Sequence, residues 1–161
     1  MGETIKVGIA DVKFVSPPDK ITTIGLGSCV GVALYDKVTK QAGLIHIMLP
    51  DSTKIRNNEN KLKFADTGMD YLVAEMKKRG SLISNLRAKM AGGAMIFNFS
   101  TKNDLGSIGD QNAEAVRKKL IQHGIKLVSE DCGKNCGRTV IFDPQTFDYE
   151  IVTAGKQKHI I

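Results

Sequence analysis

Apolar residues recur along this chain at two different periods, and the change from one to the other sorts it into strands and helices. Short β-branched runs come first. Ile5 to Ile9 reads as a strand and Ile21 to Ile24 as another, separated by the turn Ser16-Pro17-Pro18-Asp19, whose two prolines have no N–H for a sheet ladder. Gly25-Leu26-Gly27-Ser28 makes a tight bend. Val30 to Tyr35 and Gly43 to Met48 are apolar enough to be buried strands, joined through the polar turn Asp36-Lys37-Val38-Thr39-Lys40. The period then lengthens. From Lys63 to Lys78 the residues Phe64, Ala65, Met69, Leu72, Val73 and Met76 keep to one helical face, with Gly80 as the stop. Leu86 to Ala91 is a strand that ends at Gly92-Gly93. A second helix, from about Asp110 to His123, carries the stripe Ala113, Val116, Leu120 and Ile121, an acidic first residue that suits the helix dipole, and Gly124 as terminator. Ile125 to Ser129, Thr139 to Phe142 and Tyr149 to Val152 complete the strands.

Strands, helix, strand, helix, strands is not the regular alternation of a doubly wound parallel sheet. The order predicts an α+β fold: an α/β sandwich with a mixed or antiparallel β-sheet core and flanking helices. At 161 residues, with no internal repeat, low-complexity stretch or linker, residues 1–161 are expected to form a single domain. Composition narrows this only a little. The chain is 42% hydrophobic and 25% charged, which excludes collagen-like and wholly disordered classes. The longest apolar run, Ala42 to Pro50, is broken by His46 and falls far short of the roughly 20 residues of a membrane span. The start of the chain lacks a basic segment followed by an apolar one, so a cytoplasmic location is expected, with no membrane insertion. The net charge of +6 favours an acidic partner. Nucleic acid is disfavoured, because no five basic residues are consecutive and aromatics make up only 6%.

The densest chemical signal is Thr23-Ile24-Gly25-Leu26-Gly27-Ser28-Cys29-Val30-Gly31. It is not a phosphate loop: the third glycine of a dinucleotide fingerprint is replaced by Val30, no Gly-Lys-Ser/Thr ends it, and a strand rather than a helix follows. It suits a nucleophile better. Glycines ahead of Cys29 permit a sharp bend that presents a thiol at a strand end and frees nearby N–H groups to hold an oxyanion. A thiol with a pKa near 8.5 needs a base. His46 is the polar member of the apolar run Gly43-Leu44-Ile45-His46-Ile47-Met48-Leu49-Pro50, and a hairpin would bring it close to Cys29. The competing reading of His46 is a core histidine bonded to a carbonyl. Thr23 could accept the imidazole N–H, although threonine is also an ordinary strand residue. Asp36 and Asp51 are chemically stronger orienters, but both sit in turns. The remaining thiols, Cys132 and Cys136, lack the second ligand pair of a zinc site, and three cysteines are no disulfide framework.

The run from Thr23 to Asp36, with Gly43-Leu44-Ile45-His46-Ile47-Met48-Leu49-Pro50, closely resembles the CheD family of chemoreceptor glutamine deamidases. Phe64-Ala65-Asp66-Thr67-Gly68-Met69, Gly92-Gly93-Ala94, Ile108-Gly109, Asn112 and Gly137-Arg138 extend the likeness over nearly the whole chain. Gln111, Lys134, Cys132 and Cys136 depart from it. The resemblance implies a catalytic triad of Cys29, His46 and Thr23, a fold related to bacterial toxin deamidases, and no metal or organic cofactor. It implies conversion of selected glutamines of methyl-accepting chemotaxis receptors to glutamate with release of ammonia. It also implies binding to the phosphatase CheC, so that a regulatory module for CheC with little activity is the alternative function. Phe97 and Phe99 share one strand face, as core or as an apolar patch for that partner.

Overall fold

The computed structural model describes residues 2–95, 106–153, 155 and 158–161. Among the described residues, ten strands and two α-helices are laid out as β1 (Thr4–Val7), β2 (Val12–Val15), β3 (Lys20–Leu26), β4 (Val30–Asp36), β5 (Ala42–Ile47), α1 (Ala65–Lys78), β6 (Leu86–Gly92), α2 (Ile108–His123), β7 (Lys126–Cys132), β8 (Arg138–Phe142), β9 (Tyr149–Thr153) and β10 (Lys158–Ile160). The α+β expectation holds, but with two five-stranded sheets. The first runs β1-β3-β8-β9-β10 and the second β2-β5-β4-β6-β7. Both are mixed: β1 pairs parallel with β3 and β6 with β7, while the remaining pairs are antiparallel.

Several boundaries and two strands differ from the sequence expectation: β3 runs on to Leu26, into the expected bend, α1 starts at Ala65 rather than Lys63, and β7 continues to Cys132 rather than ending at Ser129. The first strand stops at Val7 rather than Ile9, because the chain turns through Ala10, whose φ is +56°. β2 and β10 were not foreseen, being four and three residues long. Helix α2 begins earlier than Asp110, with Ser107 as cap: its Oγ accepts the Asp110 N–H at 3.1 Å. Gly124 ends it at φ +73°, as its position suggested. Phe97 and Phe99 lie outside the described residues.

The period-2 alternation of β4 and β5 builds three layers. Val30, Val32, Leu34, Ile45 and Ile47 face α1 and α2 in one cluster, joined by Met69, Leu72 and Met76 of α1 and Val116 and Leu120 of α2. Ala33, Tyr35, Ala42 and Leu44 face the first sheet in another, against Ile21, Leu26, Phe142, Tyr149 and Ile151. The helices therefore cover one face of the second sheet, and the first sheet covers the other. Small residues on β4 set how closely the sheets approach. A Cβ on Gly31 would lie 3.0 Å from the Tyr149 hydroxyl and 3.1 Å from Leu26 Cδ1, and the Tyr149 hydroxyl donates to the Gly31 carbonyl at 2.8 Å.

Where β6 ends, Gly92 has φ +118°, and a Cβ there would lie 2.1 Å from the Cys29 carbonyl oxygen. Left-handed strain and a backbone clash then act together, so Gly92→Ala is expected to lower stability by at least about 2 kcal/mol in urea unfolding.

Candidate active site

Two sheets contribute to one cluster. Thr23 stands on β3 of the first sheet and His46 on β5 of the second, while Cys29 immediately precedes β4. His46 is fully buried and Thr23 is 1% exposed, whereas Cys29 is half-buried and reaches the surface. The sequence accounts for this placement. Strand alternation turns His46 to the same face as Leu44, toward the first sheet. β4 and β5 form the expected hairpin, with Gly31 opposite His46 and Val30 opposite Ile47. The ladder ends there: Cys29 is the residue before Val30, and Met48, the residue after Ile47, turns its N–H to the Lys63 carbonyl at 2.9 Å.

The hydrogen bonds fix the imidazole. Thr23 Oγ1 lies 2.8 Å from His46 Nδ1 and 2.8 Å from the Val7 carbonyl oxygen. The carbonyl can only accept, so the single hydroxyl proton goes to Val7 and a hydroxyl lone pair receives the Nδ1–H. The network thereby assigns the neutral tautomer with its free lone pair on Nε2. Nε2 is buried and has no hydrogen-bond partner among the described residues, the Cys29 thiol included. A buried acceptor left in that state costs about 1–3 kcal/mol. Burial pushes the Cys29 thiol above its usual pKa and holds the His46 imidazole below its own. Both shifts favour a resting pair of neutral thiol and neutral imidazole over an ion pair.

The bend before β4 is anchored through its carbonyls. The carbonyl of Gly27 accepts from Ala94 N–H at 2.9 Å, that of Cys29 from Gly93 N–H at 2.8 Å, and that of Ser28 from Asn112 Nδ2 at 2.9 Å. Gly25 enters the bend at φ +79°, where a side chain would be strained. Among the described residues the N–H groups of Ser28 and Cys29 donate to no protein acceptor. Carbonyls turned inward and N–H groups left over beside a thiol form an arrangement that can receive a developing oxyanion.

Asp36 and Asp51 take no part. The Asp36 carboxylate receives the N–H groups of Val38 and Thr39 and the Ser81 hydroxyl, and Asp51 caps the short turn at Ser52–Lys54. Asn112 is the residue that sequence reasoning left without a role. It was detectable as an amide on the buried stripe of α2, four residues before Val116 and eight before Leu120. A cavity of about 770 Å³ runs along α2, lined by residues including Pro50, Asp66, Asp110, Arg117 and Cys132, but none of Thr23, Cys29 and His46 borders it. Among the described residues no group of three or more His, Cys, Asp or Glu side chains could hold a metal ion, and no helix is long and apolar enough to cross a membrane.

Known proteins share this arrangement of sequence. The family described as CheD chemotactic sensory transduction matches residues 48–153. A probable chemoreceptor glutamine deamidase CheD of Lachnoclostridium phytofermentans is 52% identical over 99% of this chain and 100% of its own. A second, from Syntrophomonas wolfei, is 50% identical over 100% of both chains. The chemoreceptor glutamine deamidase CheD of Halalkalibacterium halodurans is 50% identical over 91% of each. Among solved structures, the Bacillus licheniformis hypothetical protein YfiH aligns over 75% of this chain and 49% of its own, at 18% identity and TM-score 0.47.

The buried imidazole carries a pH signature. Unfolded, His46 takes up a proton near pH 6.5. Folded, it does so only at lower pH, because burial disfavours the charged form. The unfolded state thus binds more protons between the two values, and stability falls as pH drops from 7 through 6.5 and below. Urea midpoints at pH 7.5 and 5.5 should move further apart for the wild type than for His46→Gln, which has no proton to gain.

Proposed function

The chain belongs to the CheD family, and on that footing we propose that it is a chemoreceptor glutamine deamidase using Cys29 as nucleophile, His46 as base and Thr23 as the group that orients the base. The observation that carries this reading is the Thr23 hydroxyl bound to His46 Nδ1, which leaves Nε2 as a buried lone pair without a hydrogen-bond partner among the described residues. The names of relatives about 50% identical over the full chain supply the reaction and the substrate class.

The steps follow from the atoms available. Cys29 Sγ attacks the side-chain amide carbon of a receptor glutamine while its proton passes to His46 Nε2. Since thiol and imidazole rest neutral, proton transfer accompanies attack rather than preceding it. The oxyanion of the tetrahedral intermediate is received by the N–H groups of Ser28 and Cys29. The imidazolium Nε2–H protonates the departing nitrogen, ammonia leaves, and a thioester remains on Cys29. Water then attacks the thioester as His46 takes its proton. Collapse expels the sulfur, which recovers that proton, leaving glutamate and free enzyme. Thr23 retains the Nδ1–H throughout and stabilises the imidazolium as it forms.

With His46 fully buried and Cys29 only partly so, substrate approaches from the Cys29 side. The receptor substrate and the +6 net charge fit together if the modified segment is acidic, with association weakening as salt rises. CheC is a proposed second partner.

Incubation with a receptor cytoplasmic fragment should release ammonia and convert glutamine to glutamate, read by peptide mass spectrometry. Release without any phosphatase distinguishes an enzyme from a regulatory module for CheC. Cys29→Ala should abolish conversion, and undiminished turnover in that variant would remove Cys29 from the mechanism. Thr23→Val, which keeps the shape but strands the Nδ1–H, should lower kcat by about 10- to 100-fold.

A further inference from the structure

Asn112 is fully buried on α2, whose other buried residues, Gly109, Ala113, Val116 and Leu120, are small or apolar. An unpaired amide there would be costly, and its partners are unusual ones for a helix side chain. Its Nδ2 lies 2.9 Å from the Ser28 carbonyl oxygen and 2.9 Å from the Met48 carbonyl oxygen. Both are acceptors only, so the nitrogen gives one proton to each and the amide can face only one way. Oδ1 is buried without a partner among the described residues, so the two donated bonds are what the side chain contributes.

The two carbonyls lie at the mouth of the β4–β5 hairpin. Ser28 is the residue before Cys29, and Met48 is two residues after His46. The last ladder pair is Val30 with Ile47; beyond it the strands part. Asn112 reaches in from the helix layer and links them just past that point, in place of the next rung. The N–H groups of Gly93 and Ala94 hold the neighbouring carbonyls of Cys29 and Gly27, and neither of these bonds reaches the His46 strand.

We propose that Asn112 is a positioning residue: through its bonds to Ser28 and Met48 it sets the height of the Cys29 thiol over the His46 imidazole. The inference rests on the deamidase reading where turnover is concerned. A small misplacement of reacting groups costs as much as 100-fold in rate, so loss of this link should appear in the chemical step and not in substrate binding.

The test compares full-length wild type, Asn112→Ala, Asn112→Asp and His46→Ala. Turnover of a glutamine-bearing receptor fragment is measured, and so is the pH dependence of Cys29 alkylation by iodoacetamide. Peptide mapping keeps Cys29 apart from Cys132 and Cys136. Asn112→Ala should lower kcat by at least about tenfold with KM within about twofold of wild type. Its neutral-pH alkylation rate should fall toward that of His46→Ala, while at high pH, where the thiol ionises unaided, it should match wild type. Asn112→Asp conserves size, so it serves even if the alanine variant fails to fold. Its carboxylate cannot donate, whereas its protonated form gives one bond back, so its turnover relative to wild type should rise as pH falls. Wild-type kcat and a wild-type alkylation profile in the folded variants would overturn the proposal, as would a rise in KM alone. Identical alkylation profiles for wild type and His46→Ala would also overturn it, since no pairing would exist to be set. If wild type fails to turn over the receptor, it is the deamidase reading that fails, and the alkylation profiles still decide the role of Asn112.

Discussion

One hydroxyl bridges the two sheets at the candidate site. Thr23 stands on the first sheet, gives its proton to Val7 of the same sheet, and receives the Nδ1–H of His46 from the second. A hydrogen bond of this kind contributes only about 1 kcal/mol net to stability. Its larger consequence is chemical. With the Thr23 proton committed to a carbonyl that can only accept, the imidazole has one tautomer available, and the lone pair at Nε2 follows from it.

That bond forms only because the layers meet at a defined distance. Gly31, opposite His46, leaves room for Tyr149, Leu26 and the Thr23 methyl group, and the Tyr149 hydroxyl ties the Gly31 carbonyl to the first sheet. The helix layer acts on the other side, through Asn112. The imidazole is held from the first sheet and the thiol-bearing bend from α2, with the second sheet between them carrying both. Packing density keeps such relations from drifting, since interiors filled to crystal-like density have little room to slide.

Much of this was legible in the sequence. The β4–β5 hairpin, the bend at Gly25 and the two amphipathic helices follow from periodicity and glycine placement alone. The pairing of Thr23 with His46 does not. Spacing places Thr23 on a neighbouring strand, but only non-local pairing of β3 with β1 and β8 puts that strand in a separate sheet facing β5. The resemblance to a known family, and not the residue pattern, singled Thr23 out. β2 escaped notice because four residues between two turns carry too little alternation, and β10 because Lys158, His159 and Ile160 are all exposed. Asn112 marks the same boundary. Its place on the buried stripe is visible in the sequence, but its partners, 84 and 64 residues away, are not.

A site shared between layers also has a history within each molecule. While the sheets are apart, His46 is an ordinary solvated imidazole that exchanges freely between tautomers, and Cys29 is an ordinary thiol on a glycine-rich segment. Only docking of the first sheet on the second commits the ring nitrogen to Thr23. The placement of the Nε2 lone pair is therefore acquired only with the completed architecture, when the two sheets meet.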